Sequence, residues 1–287
     1  MIKLQTPVET GPLPFGISFE GKTVLLGSCF SSTTGERLAS LGFPSLTNPF
    51  GPLYNPVTIA NAATRLGSGV PFSEDECVEM GAGAGLICSF SHHTSFARPT
   101  AAEFLEGANA SFTEACKFWK EADRVVLTLG TAWCFRRVET GETVANCLKR
   151  PAAEFVRYRL DEATVTSLLR RVVERNPEKK FILSVSPIRH LADGAQGNSV
   201  SKAVLVLAAD ALCRMFPDRV CYFPSYEILL DELRDYRFYA EDLVHPSSQA
   251  ASYIADRFLE AAVGEEEKMK LEEARKMALR AAHRPLR

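Results

Sequence analysis

Short continuous apolar runs alternate with longer stretches of helical period along most of this chain. KTVLLGSCF at 22–30 reads as a buried strand that breaks at Gly27, and TGERLASLG after it reads as a helix closing on Gly42. FPSLTNPF at 43–50 reads as a second, less apolar strand. VTIANAATRLG at 57–67 is helical, with Pro56 suited to the first turn. RVVLTLG at 124–130 and KFILSVS at 180–186 are continuous β-rich runs, while RVCYF at 219–223 starts as a strand and turns helical beyond Pro224. Strands that are apolar without alternation are covered on both faces, and helices between them imply crossovers and parallel pairing. The pattern predicts the α/β class: a three-layer α/β/α domain around a doubly wound parallel sheet.

Two segments interrupt the alternation. Residues 71–123 contain GAGAGLICSF and SHHTSFARP, read as a hairpin or long loop, and then a helix near 101–122. Residues 134–158 contain CFRRVETGETVANCLKR, whose ETGET centre suggests a second hairpin. The expected division is one α/β domain over 1–262, with hairpins inserted near 81–100 and 134–150, followed by a charged helix over 263–287. In that helix Glu266–Lys270 and Glu272–Lys276 stand at i,i+4 spacing, as on a solvated face.

Composition narrows the function classes. With 287 residues, 46% of them hydrophobic, the chain can bury a large core without covalent staples. A net charge of −2 argues against a nucleic-acid or anionic membrane surface as the main business. No run approaches the roughly 18 apolar residues of a membrane span. The opening MIKLQTPVETGPLP lacks the apolar stretch of a secretory signal, so a cytoplasmic protein is expected. The eight cysteines show no C-x-x-C pair and lie in apolar surroundings, as reduced thiols do. A structural zinc site is not expected. There is no P-loop, G-x-G-x-x-G or H-E-x-x-H, so no cofactor or metal is expected either.

The chemistry-bearing residues fall in two places. In DLVHPS, Asp242 and His245 stand three apart ahead of a helix. A turn there lets the carboxylate hold one imidazole nitrogen and leaves the other free as a base. In GSCFSS, directly after the first strand, Gly27 permits a tight turn that presents Ser28 and Cys29 near helix N-terminal N–H groups. Such a turn favours a nucleophile and an oxyanion. A cap plus an incidental His, and a small-residue turn packed under a helix, are the bland alternatives. His92 and His93 are adjacent, so at most one of them faces a site. Asn48 and Asn55 flank Gly51 and either donate to substrate or serve turn chemistry. Arg189 and His190 end the fourth strand, where they can meet a substrate anion or form an exposed rim.

Taken together, GSCFSSTTGERL, NPFGPLYNP, SHHTSF, SVSPIRHLADG, YFPSYEILLDELRDYRFY and EDLVHPS resemble the GSCFA-domain family over about residues 22–258. That family is related to the SGNH or GDSL hydrolases, and the resemblance implies a flavodoxin-like α/β/α fold. It sets GSCF on the nucleophile block, NPFG on the block with an oxyanion glycine, LGTAW on Gly-x-Asn and DLVH on Asp-x-x-His. In register, Cys29 falls on the nucleophilic serine and Ser28 on the aspartate before it. Ala132 stands where the superfamily has its oxyanion Asn, and Ser31 where the family's name has Ala. His93 matches the motif's histidine.

The resulting expectation is a hydrolase or acyltransferase acting on an ester or thioester, with an acylated carbohydrate as the leading analogy. Its catalytic candidates are Cys29, narrowly ahead of Ser28, with Asp242 and His245. Its oxyanion or substrate-binding candidates are Gly51, Asn48, Gly130, His93 and Arg189. A small-molecule or glycan ester is the expected partner, with neither nucleic acid nor membrane. A catalytically degenerate ligand-binding protein on the same fold is the alternative from another class, and a monothiol redox site at Cys29 is the third.

Overall fold

The computed structural model describes residues 5–282; the first four residues of the expected 1–262 unit and the last five of the expected tail helix lie outside it. The main sheet is built from β1 (Thr23–Gly27), β2 (Ser45–Thr47), β5 (Arg124–Leu129), β9 (Lys180–Val185) and β10 (Val220–Tyr222). Its spatial order is β10-β9-β5-β1-β2, and every pairing in it is parallel. In chain order that is 2-1-3-4-5, the flavodoxin-like arrangement. The order reverses beside β1, so the crevice at its carboxyl end is where such sheets bind ligands.

Alternate residues of each strand serve opposite layers. Val24 and Leu26, Val125 and Leu127, and Phe181 and Leu183 face one apolar cluster. That cluster is completed by α2 (Pro56–Ser68), α3 (Ala101–Glu121), α4 (Glu162–Glu174) and α5 (Gly194–Met215). Leu25, Val126 and Ile182 face the other, built on α1 (Cys29–Ser40), a short helix α6 (Ser225–Glu227) leading into a π-turn, and α7 (Ser248–Ala262). A strand's period of two forces this division, and burial of both sets makes three layers. No helix among the described residues is long and apolar enough to cross a membrane.

The insertions differ from their expected form. β3 (Val78–Glu79) and β4 (Ile87–Cys88) make a hairpin that starts just before the expected 81–100 and ends within it, with GAGAG in its turn. The SHHTSF stretch beyond is a single 3-10 turn at Thr94–Phe96. The second hairpin, β6 (Trp133–Arg137) with β7 (Thr143–Val144), gains a third strand, β8 (Phe155–Arg159). The tail helix α8 (Lys268–Ala282) packs Leu271 into the second cluster. Its expected i,i+4 pairs are absent among the described contacts. Arg275 instead pairs with Glu272 and with Asp256 of α7, turning the charged face partly inward.

The start of α1 is the detail on which the site depends. The helix begins at Cys29, five residues before TGERLASLG, because Ser28 caps it and accepts from the Phe30 N–H. Gly27 has φ +148, and a Cβ there would lie 2.2 Å from the Thr128 carbonyl oxygen. Gly27→Ala is therefore expected to cost about 3 kcal/mol or more in stability. A drop in the urea midpoint measures this; an unchanged midpoint would mean that β1 and β5 separate without penalty.

Candidate active site

Asp242 and His245 lie on a loop between a 3-10 turn (Tyr236–Phe238) and α7. Asp242 Oδ1 accepts from the backbone N–H of Val244 at 2.9 Å and of His245 at 3.0 Å. Its Oδ2 lies 2.6 Å from His245 Nδ1, so Nε2 is left free of it. These donors favour the carboxylate and hold Asp242 down at about pKa 2. Pro246 and Ser247 then start α7, whose Ala250 N–H is capped by Ser247 Oγ. Arg189, expected at the end of the fourth strand, lies four residues beyond β9 and fastens the loop. Its backbone N–H donates to the Val244 carbonyl at 3.0 Å and its guanidinium to the Leu243 carbonyl at 3.1 Å.

At the β1–α1 turn the two nucleophile candidates are unequal. Ser28 is fully buried, and its Oγ caps α1 and bonds Ser186 Oγ at 2.9 Å. Cys29 is the first residue of the helix and is partly exposed. Burial pushes its thiol above the usual range, outweighing its own and Phe30's N–H groups and the charge of Lys202, which all pull it down.

The glycine and asparagine candidates are engaged within the protein. The Asn48 side chain accepts from the Gly27 N–H at 2.9 Å and donates to Ser32 Oγ at 3.0 Å. It ties the end of β2 to the turn rather than facing a ligand. The Gly51 N–H donates to the Asn48 carbonyl at 2.7 Å, and the Gly130 N–H to the Tyr54 carbonyl at 2.9 Å. Gly51 has φ +80, and a Cβ there would lie 2.3 Å from His93 Cβ, so this glycine makes room for His93. His93 itself caps the Thr94–Phe96 turn through Nδ1. His92 points the other way, into Phe50, Phe72, Phe96 and Phe104, where burial pulls its pKa to about 3. Asn55 is the N-cap of α2.

A cavity of about 430 Å³ opens beside His245, walled by Tyr54, Trp133, Phe135, Arg157, Arg189 and His190. Among the described residues no hydrogen bond joins His245 to Cys29. Tyr54 links their surroundings: it lines this cavity, and its phenol, raised first by burial, is raised further by the Cys29 sulfur. A larger cavity of about 660 Å³ shares Val144 and Ala145 but lies over α2, where Arg65 is paired with Glu76. It contains none of the expected catalytic residues.

Lys202, on α5, escaped the sequence reading. Its side chain is 1% exposed, and Nζ donates to the Gly130 carbonyl at 2.7 Å and the Ser186 carbonyl at 2.8 Å. The ammonium thus bridges the carboxyl ends of β5 and β9, next to the Ser28–Ser186 bond. Burial pulls its pKa down to about 7, against the opposing pull of Glu227. The available signal was periodic: Asn198, Ser201, Lys202, Leu205, Ala209 and Leu212 form one buried face, so a lysine occupies a core position. Lys202→Met removes a charge that favours the thiolate. The rate of Cys29 alkylation below about pH 7, where Lys202 still carries its proton, is expected to fall roughly 3–10-fold. A lower melting temperature with an unchanged alkylation rate below pH 7 would make Lys202 structural only. Because its folded pKa lies below the ordinary 10.5, the unfolded chain holds the extra proton between about pH 7 and 10.5. Wild-type stability relative to the variant should therefore rise with pH across that window.

Solved structures similar to this chain include the following three. A candidate acylhydrolase from Bacteroides fragilis is 11% identical, with TM-score 0.44, over 87% of this chain and 90% of its own. A GDSL-like lipase from Bacteroides thetaiotaomicron is 11% identical, with TM-score 0.40, over 89% of each chain. An acetyl xylan esterase from Butyrivibrio proteoclasticus is 12% identical, with TM-score 0.39, over 85% of this chain and 63% of its own. No protein of curated function matches the sequence. A family model described as the GSCFA family matches residues 22–258.

Proposed function

The chain belongs to the GSCFA family, and from that membership and the geometry around His245 we propose that it transfers an acyl group from an ester or thioester, with Cys29 as nucleophile. The observation that carries this reading is the Asp242–His245 pair: a carboxylate fixed by two backbone amides holds Nδ1 at 2.6 Å, beside a cavity. The burial of Ser28 Oγ, and its bonds to Phe30 and Ser186, support Cys29 over Ser28.

In this reading His245 Nε2 takes the thiol proton as Cys29 Sγ attacks the acyl carbonyl. The imidazolium is balanced by Asp242. The Cys29 N–H, the first amide of α1, faces the developing oxyanion, since the Phe30 and Ser31 N–H groups are already given to Ser28. His245 returns the proton to the departing alcohol or thiol, leaving a thioester on Cys29. Water or an acceptor alcohol, deprotonated by His245, then releases the acyl group.

A catalytically silent binding protein is the second reading. It is favoured by the internal engagement of the Gly51, Gly130 and Asn48 amides and by Ala132 at the expected Asn. The discriminating experiment is brief incubation with aryl esters and thioesters of short acids, followed by intact-mass and peptide mass spectrometry. An acyl adduct on the Cys29 peptide supports the enzyme. No adduct and no turnover across the panel would favour the binding protein.

A further inference from the structure

We propose that the cavity beside His245 is an anion subsite, and that the substrate carries a carboxylate or phosphate gripped by Arg157 and Arg189 against the aromatic wall of Trp133 and Phe135; this rests on the acyl-transfer reading above. Two guanidiniums line the cavity, and no Asp or Glu does. An aqueous cavity walled by cations without acids favours anionic occupants, and its apolar surfaces strengthen that attraction by keeping water away.

Both guanidiniums are held before any ligand arrives. Arg157 stacks over Trp133 at 5.1 Å and Phe135 at 5.3 Å, with its Nη2 paired at 2.5 Å to the buried Asp193. One edge of the fork is thereby fixed, and the remaining donors are free of Asp193. Arg189 lies 5.3 Å over the Tyr239 ring, and its Nη1 is bonded to Leu243. It pairs with no carboxylate among the described residues. A planar fork fixed in this way loses little freedom when it grips a carboxylate or phosphate. Asp193 offsets much of the Arg157 charge, so the uncompensated positive charge on the cavity is chiefly that of Arg189, while Arg157 contributes its remaining N–H donors. Burial pulls His190 to about pKa 4, so it is neutral at pH 7, and Asp242, bonded to His245 Nδ1, does not itself line the cavity. Arg189 also holds the His245 loop, so an anion on its guanidinium would sit next to the element carrying the base.

The test uses paired substrates on the full chain. One pair is the glutaryl thioester of N-acetylcysteamine and its methyl-capped neutral counterpart, which places the anion on the acyl chain. The other is acetoxyethyl phosphate and acetoxyethanol, which places it on the leaving group. The anionic member of at least one pair should be favoured about 10-fold or more in kcat/KM. Arg157→Met should bring that ratio towards one. Independently of turnover, glutarate or hydroxyethyl phosphate should quench tryptophan fluorescence saturably, and less so at high salt. The chain has two Trp, and only Trp133 lines the cavity. Saturable quenching without turnover of any substrate would keep the subsite and remove the catalytic reading. Equal rates for charged and neutral partners, with no quenching by either anion, would overturn the subsite whatever the catalytic outcome.

Discussion

Replacing Cys29 by alanine is expected to remove acyl transfer by about 10⁴-fold or more and to eliminate the acyl adduct, because no other residue at the turn can take over the attack. Ser28 is one residue away, but its Oγ is buried against Ser186 and Phe30. A fully buried hydroxyl held by those partners is not presented for attack. Ser28→Ala makes the contrast. It is expected to weaken the α1 cap by about 1 kcal/mol while keeping iodoacetamide modification of Cys29. The pH course of alkylation in the wild type provides a second check. Burial raises the thiol, so at neutral pH Cys29 is protonated at rest, and its modification rate should still be climbing above pH 9 unless substrate or base intervenes. Retained turnover in Cys29→Ala, with loss in Ser28→Ala, would reverse the assignment.

His245→Ala is expected to lower kcat/KM by about 10²–10⁴-fold by removing the general base. A raised thiol needs that base more than an ionised one would. The loss should be largest with substrates whose leaving groups are poor, where the imidazolium must also return a proton. Asp242→Asn is expected to give a smaller loss, through a misdirected imidazole rather than a missing one. Asp242 itself stays ionised down to about pH 2, so it contributes no inflection to a rate profile measured between pH 4 and 9. An unaltered rate in His245→Ala would detach the loop from the chemistry and leave only its structural tie to Arg189.

Much of this was legible locally. β1, β5, β9 and β10 were readable because each is a continuous apolar run, and continuous runs arise where a strand is covered on both faces, whereas β2, the partly buried edge strand SLT, read as less apolar. β8 was not readable, since FVRYR is short, polar at alternate positions and only partly covered. The Asp–His pair could be read because its geometry is local: three residues of turn and a following proline bring carboxylate and imidazole together. The tail pairs failed for the opposite reason. Spacing on a helix cannot say that Asp256 of another helix competes for Arg275.

The layered parallel fold, the β1 turn at Gly27 and the Asp242–His245 pair can be read along the chain, because each depends on period, φ or contacts a few residues apart. What the other candidates do follows from contacts between distant segments. The tertiary structure turned Asn48, Gly51 and Gly130 inward to the backbone and buried Ser28. It brought Lys202 from α5 under two strand ends, and it assembled Tyr54, Trp133, Arg157 and Arg189 from four distant segments around one cavity. The physical reason is that a polar group's role depends on which partners reach it first. For groups at the carboxyl edge of a parallel sheet, those partners come from connections far away in the chain.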